Sequence, residues 1–490
     1  MAMVLAFDQG TTSARAMVFD AATGAVLAEA REVVAQHHPQ PGWVEQDAEL
    51  LWSGSLLVLR RALEAIAPQR PVALGLTNQR ETTLLWERAT GRPVGPAIVW
   101  QDRRTAPLCE RLRQEGMEGM VRERTGLLLD PYFSATKIAW LLENIPGARQ
   151  RALRGELAFG TVDSYLLFCL SRGRLHATDT TNACRTALFN IHTLQWDMDL
   201  LRLFDIPEAL LPEVRPSTGP WGEVDAALLG WPLPIGAVVG DQQAALVGQG
   251  CLAPGMTKNT YGTGAFLMMN TGPRPRSHPA LLTTIAHHVG REVAYAMEGS
   301  IFVAGAAVQW LVGLGVLREV ADAERLAASV PDSAGVIMVP ALAGLACPHW
   351  DPQARGVLLG LSLHTTAAHV VRAVLEGIAW RTAEVIATMT EGGAPRLDAL
   401  KVDGGACCNA ELMQIQADVL GVPVVRPAML ETTVLGAALL AGVALELFDL
   451  ATIGSIVREE RRFVPRRDDA WREAGRRLWA TAVARCCALS

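Results

Sequence analysis

The chain has 490 residues, half of them apolar and 19% charged, with a formal net charge of −6. That length exceeds one comfortable hydrophobic core, so two or more domains are expected, and an acidic balance without a long basic run argues against a nucleic-acid partner. The start lacks the charged and apolar regions of a signal peptide. Leu435 to Phe448, the nearest approach to a membrane span, is too short and contains Glu446. Nine cysteines, odd in number and without metal-like spacing, suggest reduced thiols in a cytoplasmic protein.

The first predicted element is an apolar strand, Met3 to Phe7, which runs into Asp8-Gln-Gly-Thr-Thr-Ser13 and then a second strand, Ala14 to Asp20. Ala22-Thr-Gly24 offers a turn into a third strand, Val26 to Ala30. This is a phosphate hairpin in form. Gly10 permits a tight turn, so the amides and hydroxyls of Thr11, Thr12 and Ser13 can face phosphate oxygens. Asp8 can hold a magnesium ion directly or through water, and Arg15 adds a fixed positive charge. Read alone, the same six residues fit an ordinary hairpin with a polar turn.

Apolar positions at helical spacing predict a helix from Leu50 to Ile66, closed by Pro68 and Pro71. Val72 to Leu76 then reads as a buried strand leading into Thr77-Asn-Gln-Arg-Glu81. Three strands, a helix and a strand make the ribonuclease-H-like unit at the core of actin-like and hexokinase-like ATPases. Leu84 to Trp86 and Ala97 to Trp100 suggest a hairpin, and helices and loops follow to about Pro220 as an elaboration for a substrate pocket. Ala237 to Gly240 is a strand ending at Asp241. A second phosphate-type turn, Asn259-Thr-Tyr-Gly-Thr-Gly264, precedes the strand Ala265 to Asn270 and echoes the first hairpin. The expected architecture is therefore α/β, with two ribonuclease-H-like lobes spanning residues 1–250 and 251–490 and a catalytic cleft between them.

No Gly-Lys pair, zinc-type His-Glu-x-x-His run or dinucleotide fingerprint occurs. A nucleotide site must then be built from the two hairpin turns and Val402-Asp-Gly-Gly-Ala-Cys-Cys-Asn409, which follows a strand (Leu400 to Val402) and opens a helix near Asn409.

With these segments in view, the chain resembles the FGGY carbohydrate kinase family end to end. The matching stretches include Phe7 to Ser13, Pro39 to Glu45, Thr77 to Thr83, Ile98 to Thr105, Asp130 to Lys137, Phe159 to Ser164, Gly240 to Leu246, Lys258 to Gly264 and Glu298 to Gly305. Arg80-Glu81 and the Asp130-Pro-Tyr132 turn point to the branch of the family that phosphorylates glycerol. The resemblance implies ATP and Mg²⁺ as cofactors and glycerol as the acceptor, with Asp241 as general base on a terminal hydroxyl. Arg80, Glu81, Tyr132, Asp241 and Gln242 would hydrogen-bond the acceptor, and Trp100 and Phe266 would wall its carbon edge. Thr11, Thr12, Ser13 and Arg15 would meet the phosphates with Thr263 opposite, while Gly305, Gln309, Gly405 and Asn409 would line the adenosine end. Relatives often form dimers or tetramers, so a homo-oligomer is expected. His349 and Leu342 depart from the family's usual tyrosine and phenylalanine. The loop Gly230 to Ile235 is short, and no histidine stands near Pro220 to Gly222, so feedback control through either region is not expected. Three rival readings are weighed at this point: a kinase of another polyol or ketose, an actin-like ATPase acting as a nucleotide switch, and a catalytically silent relative with a structural role, against which the intact Asp8, Arg15, Thr263 and Asp241 argue.

Overall fold

A computed structural model describes residues 2–488. The chain opens with β1 (Met3–Gln9), β2 (Ser13–Asp20) and β3 (Val26–Val33), an antiparallel meander whose first two strands are almost wholly buried. Helix α1 (Ala48–Glu64) begins two residues before its first predicted apolar position, because the Asp47 carboxylate caps it by accepting the amides of Glu49 and Leu50. β4 (Ala73–Asn78) then runs parallel to β1, and β5 (Leu233–Gly240) runs parallel to β4. Helix α2 (Asp241–Gly248) leaves the tip of β5.

The second half repeats this plan. β6 (Thr257–Tyr261) is antiparallel to β7 (Ala265–Gly272). Beyond β7 lie the antiparallel strands β8 (Leu282–Val289) and β9 (Glu292–Ile301). After helices α3 (Gly305–Gly313) and α4 (Ala367–Glu391), β10 (Leu400–Asp403) pairs in parallel with β6. Helix α5 (Ala410–Leu420) leads to β11 (Val424–Pro427), parallel to β10. The two sheets thus share a central strand with an antiparallel neighbour on one side and two parallel strands on the other.

Helix α6 (Thr432–Ala444) holds the apolar stretch that came nearest to a membrane span, and it is buried by protein. Val434, Leu435, Ala437 and Leu440 join Val4, Ala6, Ala237 and Val239 of the first sheet in one cluster, so a segment of the second half covers the first. It crosses α2 at Gly248 and Gly436. A Cβ on Gly436 would fall on the carbonyl of Ala244, and one on Gly248 on the carbonyl of Thr432, so this backbone-to-backbone crossing requires glycine. Among the described residues no helix is long and apolar enough to cross a membrane, and the nine cysteines are free.

The hairpin expected over 84–100 is only partly formed. Isolated bridges join Thr83 to Ile98 and Trp86 to Pro93. The ladders themselves go elsewhere, Leu84–Glu87 to Leu157–Gly160 and Ala97–Ile98 to Glu45–Gln46. Both distant partners saturate backbone groups that a local hairpin would have used.

Candidate active site

The tips of parallel β1, β4 and β5 lie side by side, which brings Asp8, Arg80 and Asp241 to one end of the first sheet. Just past β4, Glu81 has φ of +61°, a left-handed backbone uncommon for a side-chain-bearing residue and costing about 1–3 kcal/mol. Arg80 and Glu81 are both buried at this turn. Arg80 grips Glu298 of β9 through both terminal nitrogens (2.8 and 3.2 Å), and its Nε lies 3.2 Å from Asp241 Oδ1. Arg185, wholly buried, donates to Glu81 Oε1 at 2.6 Å and to Glu298 Oε1 at 2.9 Å. Burial alone would raise the Glu298 carboxyl, but the two guanidinium groups reverse that and hold it at about 2.

Tyr132 is placed by a turn in which its amide donates to Asp130 Oδ1 (2.9 Å) and buried Lys137 donates to the carbonyls of Pro131 and Tyr132. Its ring lies edge-on to Trp100 at 5.5 Å, and Trp100 is edge-on to Phe266 of β7 at 6.2 Å. The predicted aromatic wall is therefore assembled from both halves of the chain. Trp100 also donates from Nε1 to Thr11 Oγ1 (2.9 Å), tying the pocket to the first turn.

Asp241 is the first residue of α2, where its side chain accepts the Gln242 amide at 2.7 Å and stays 27% exposed toward the cleft. Desolvation raises its pKa above the ordinary carboxylate value, and Arg80 opposes the rise. A base held above the usual carboxylate range beside a cationic neighbour suits proton abstraction from an alcohol. Buried Lys258 of β6 donates to Gln242 Oε1 and to Thr260 Oγ1 (2.8 Å).

On the phosphate side, the Gly10 amide donates to Ser13 O at 3.0 Å and closes the first turn, leaving Thr11, Thr12 and Ser13 half-buried or exposed. Asp8 Oδ1 is buried without a hydrogen-bond partner; desolvation and then the charge of Asp241 push the carboxyl up to about 7. An orphaned anionic oxygen beside a second carboxylate fits a divalent cation. With no acidic or imidazole cluster of three or more residues that could hold a metal among the described residues, the site suits Mg²⁺ that keeps waters and phosphate oxygens in its shell. Arg15 faces Asp8 across the hairpin register, but its guanidinium is engaged by Glu431 and lies 3.5 Å from Glu29. Phosphate at this turn would compete with those two acids for it.

In the second turn Thr263 is exposed, and its carbonyl accepts the amides of Ala304 and Ala306 at the start of α3. Gly305 is required there, since a Cβ would come within 2.6 Å of Gly262 O. Gln309 and Gly405 are exposed, and nothing lies within 4 Å of the position a Gly405 Cβ would take. Asn409 caps α5 by accepting the Leu412 amide (2.9 Å).

Residues 3–248 match the FGGY family of carbohydrate kinases, N-terminal domain, and residues 257–445 match its C-terminal domain. The chain belongs to the FGGY family of carbohydrate kinases. Among its relatives in this family, glycerol kinase of Thermus brockianus is 55% identical over 99% of this chain and 98% of its own length. Glycerol kinase of Aromatoleum aromaticum is 56% identical over 99% of both chains. The fold matches that of Plasmodium falciparum glycerol kinase with ADP, at a TM-score of 0.95 and 33% identity over 99% of this chain and 98% of that one. A xylulose kinase from Rhodospirillum rubrum follows at 0.88 and 25%, covering 99% of each chain.

Three residues of this FGGY kinase cleft carried no role in the sequence reading: Arg185, Lys258 and Glu298. A signal was present for two of them. Glu298 and Lys258 are charged residues inside strands whose neighbours are almost all buried, a placement that needs a partner.

Proposed function

We propose that the protein is an ATP-dependent glycerol kinase that forms sn-glycerol 3-phosphate and ADP, serving glycerol catabolism. One observation carries the reading: Asp241 faces the cleft within salt-bridge distance of Arg80, and Arg80 shares one buried ion cluster with Glu81. Glycerol has little apolar area, so alternating donors and acceptors must supply its recognition. Arg80 and Gln242 donate, Glu81 and Asp241 accept, Tyr132 does either, and Trp100 and Phe266 cover the carbon edge.

In the reaction, Asp241 takes the proton of the terminal hydroxyl as its oxygen attacks the γ-phosphorus, a contribution of about 10²- to 10⁴-fold. Arg80 holds the Asp241 carboxylate toward the acceptor, and Glu298 and Arg185 hold Arg80 and Glu81. Thr11, Thr12, Ser13 and Arg15 meet the phosphates from one side and Thr263 from the other, while Gly305, Gln309, Gly405 and Asn409 line the adenosine. Asp8 would hold Mg²⁺, which when bound neutralises charge on the phosphate oxygens. Approach of the lobes, 1–250 and 251–490, excludes water and so limits ATP hydrolysis. Assembly as a dimer or tetramer in the cytoplasm belongs to the same proposal.

The test is ADP release from Mg-ATP with and without glycerol, against xylulose, ribulose, gluconate, erythritol and dihydroxyacetone. Strong stimulation by glycerol above the others is expected. Preference for another polyol would overturn the substrate, and turnover indifferent to every alcohol would overturn the kinase reading.

A further inference from the structure

Lys258 is one of only three lysines in the chain, sits wholly buried on the central strand of the second sheet, and reaches the first residues of α2 in the other lobe. Its ammonium has donors only, so the oxygen of the Gln242 side-chain amide must face it. The opposite end of that amide, the NH₂ group, is thereby turned away from Lys258. Thr260, two residues along the same strand, accepts a second N–H at 2.8 Å and fixes the ammonium in turn. The charges of Asp403 and Asp241 lie close enough to favour the ammonium, which burial pushes down to about 8 and which therefore remains protonated at neutral pH.

Resting on the glycerol kinase reading, we propose that Lys258 is a positioning residue for the acceptor: it locks the Gln242 amide so that its NH₂ group donates to a glycerol hydroxyl beside Asp241. The consequence is a division of labour at the pocket. Asp241 and Glu81 accept from hydroxyl groups, while Arg80 and Gln242 donate to their oxygens. Without the lock, the Gln242 amide is free to present its oxygen, which duplicates the acceptors already present. Because Lys258 stands on the second lobe, the donor is set only when the two lobes are in register.

The test is a double-mutant cycle on glycerol turnover with Lys258→Met and Gln242→Ala. Loss of a charge-assisted hydrogen bond predicts a rise of about 10- to 100-fold in KM for glycerol in Lys258→Met, with KM for ATP moving far less. In the Gln242→Ala background the same substitution should add no more than about 2-fold, since the amide it acts through is gone. Lys258→Arg, which keeps a donor, should recover part of the loss. Thr260→Val loosens the ammonium without burying a new charge and decides the matter if Lys258→Met does not fold; a smaller rise in glycerol KM, absent when Gln242 is alanine, is expected. Additive losses, a loss confined to kcat, or an unchanged glycerol KM would overturn the proposal. Wild-type protein without glycerol-dependent turnover would instead overturn the kinase reading beneath it.

Discussion

Two buried carboxyl groups of this cleft are pushed in opposite directions, and the difference separates its two ends. Glu298, on the acceptor side, is held at about 2 because Arg80 and Arg185 outweigh its desolvation. Asp8, on the phosphate side, rises to about 7 because burial and the neighbouring charge of Asp241 outweigh Arg15, whose guanidinium is engaged by Glu29 and Glu431. Burial by itself raises any carboxyl, and at Glu298 it is the two contacting guanidinium groups that reverse it. The end proposed for the acceptor pairs its buried arginines with Glu81 and Glu298, whereas the end proposed for the phosphates keeps an uncompensated Asp8 oxygen that a cation would satisfy.

The sharpest way to probe the end proposed for the acceptor is to remove one hydroxyl from the acceptor itself. Propane-1,2-diol keeps one terminal hydroxyl and loses the other, so groups fixed by the Arg80–Glu298 cluster are left unpaired. Its kcat/KM should lie about 10⁴-fold below that of glycerol in steady-state assays. The opposite end predicts a different outcome. Asp8→Asn should lower kcat by about 10²-fold, while raising the melting temperature of the metal-free protein at pH 8. The sign follows from the raised value. An acid whose folded-state pKa lies near 7 rather than 3.8 costs stability when ionised, fully so above about 7 and not at all below 3.8. The melting-temperature gain should therefore shrink as pH falls, and Mg²⁺ should stabilise the parent chain but not the variant.

Glu298→Gln should do the reverse and destabilise the fold by about 3 kcal/mol in urea titrations, since it leaves two buried guanidinium groups without their shared anion. The Glu298 contribution has a depressed pKa, so it is complete above the ordinary 4.5 and is lost as pH falls through about 2. The smallest effect is expected where the two ends meet. Thr11→Val removes the acceptor of the Trp100 indole N–H and should cost about 1 kcal/mol of stability, with a modest rise in KM for ATP.

How much of this was legible in the sequence depends on the distance over which each feature is encoded. The first hairpin, the strand before Asp241 and the turn 262–264 follow from apolar runs that stop at glycine and hydroxyl residues, all within a few positions. Arg80, Glu81, Tyr132 and Gln242 were found through motifs, and Arg80 is brought within reach of Asp241 because parallel β4 and β5 end together. The Arg80–Glu298 pair spans 218 positions, and no local pattern encodes a buried ion pair of that reach. The same holds for α6, whose apolar residues give no sign that the sheet they cover belongs to the other half of the chain. Over 84–100, backbone pairing with Glu45–Gln46 and Leu157–Gly160 displaced the local hairpin, and neither partner is adjacent in sequence.

In the proposed reaction Asp241 takes the acceptor's proton at a pocket already built to hold it. The direct measurement is Asp241→Asn, comparing glycerol binding by calorimetry with glycerol-dependent ADP release under saturating Mg-ATP. Glycerol should still bind within about tenfold of the parent affinity while turnover falls by about 10²- to 10⁴-fold. Turnover within a few-fold of the parent, with the fold intact, would contradict it and assign the proton to another group.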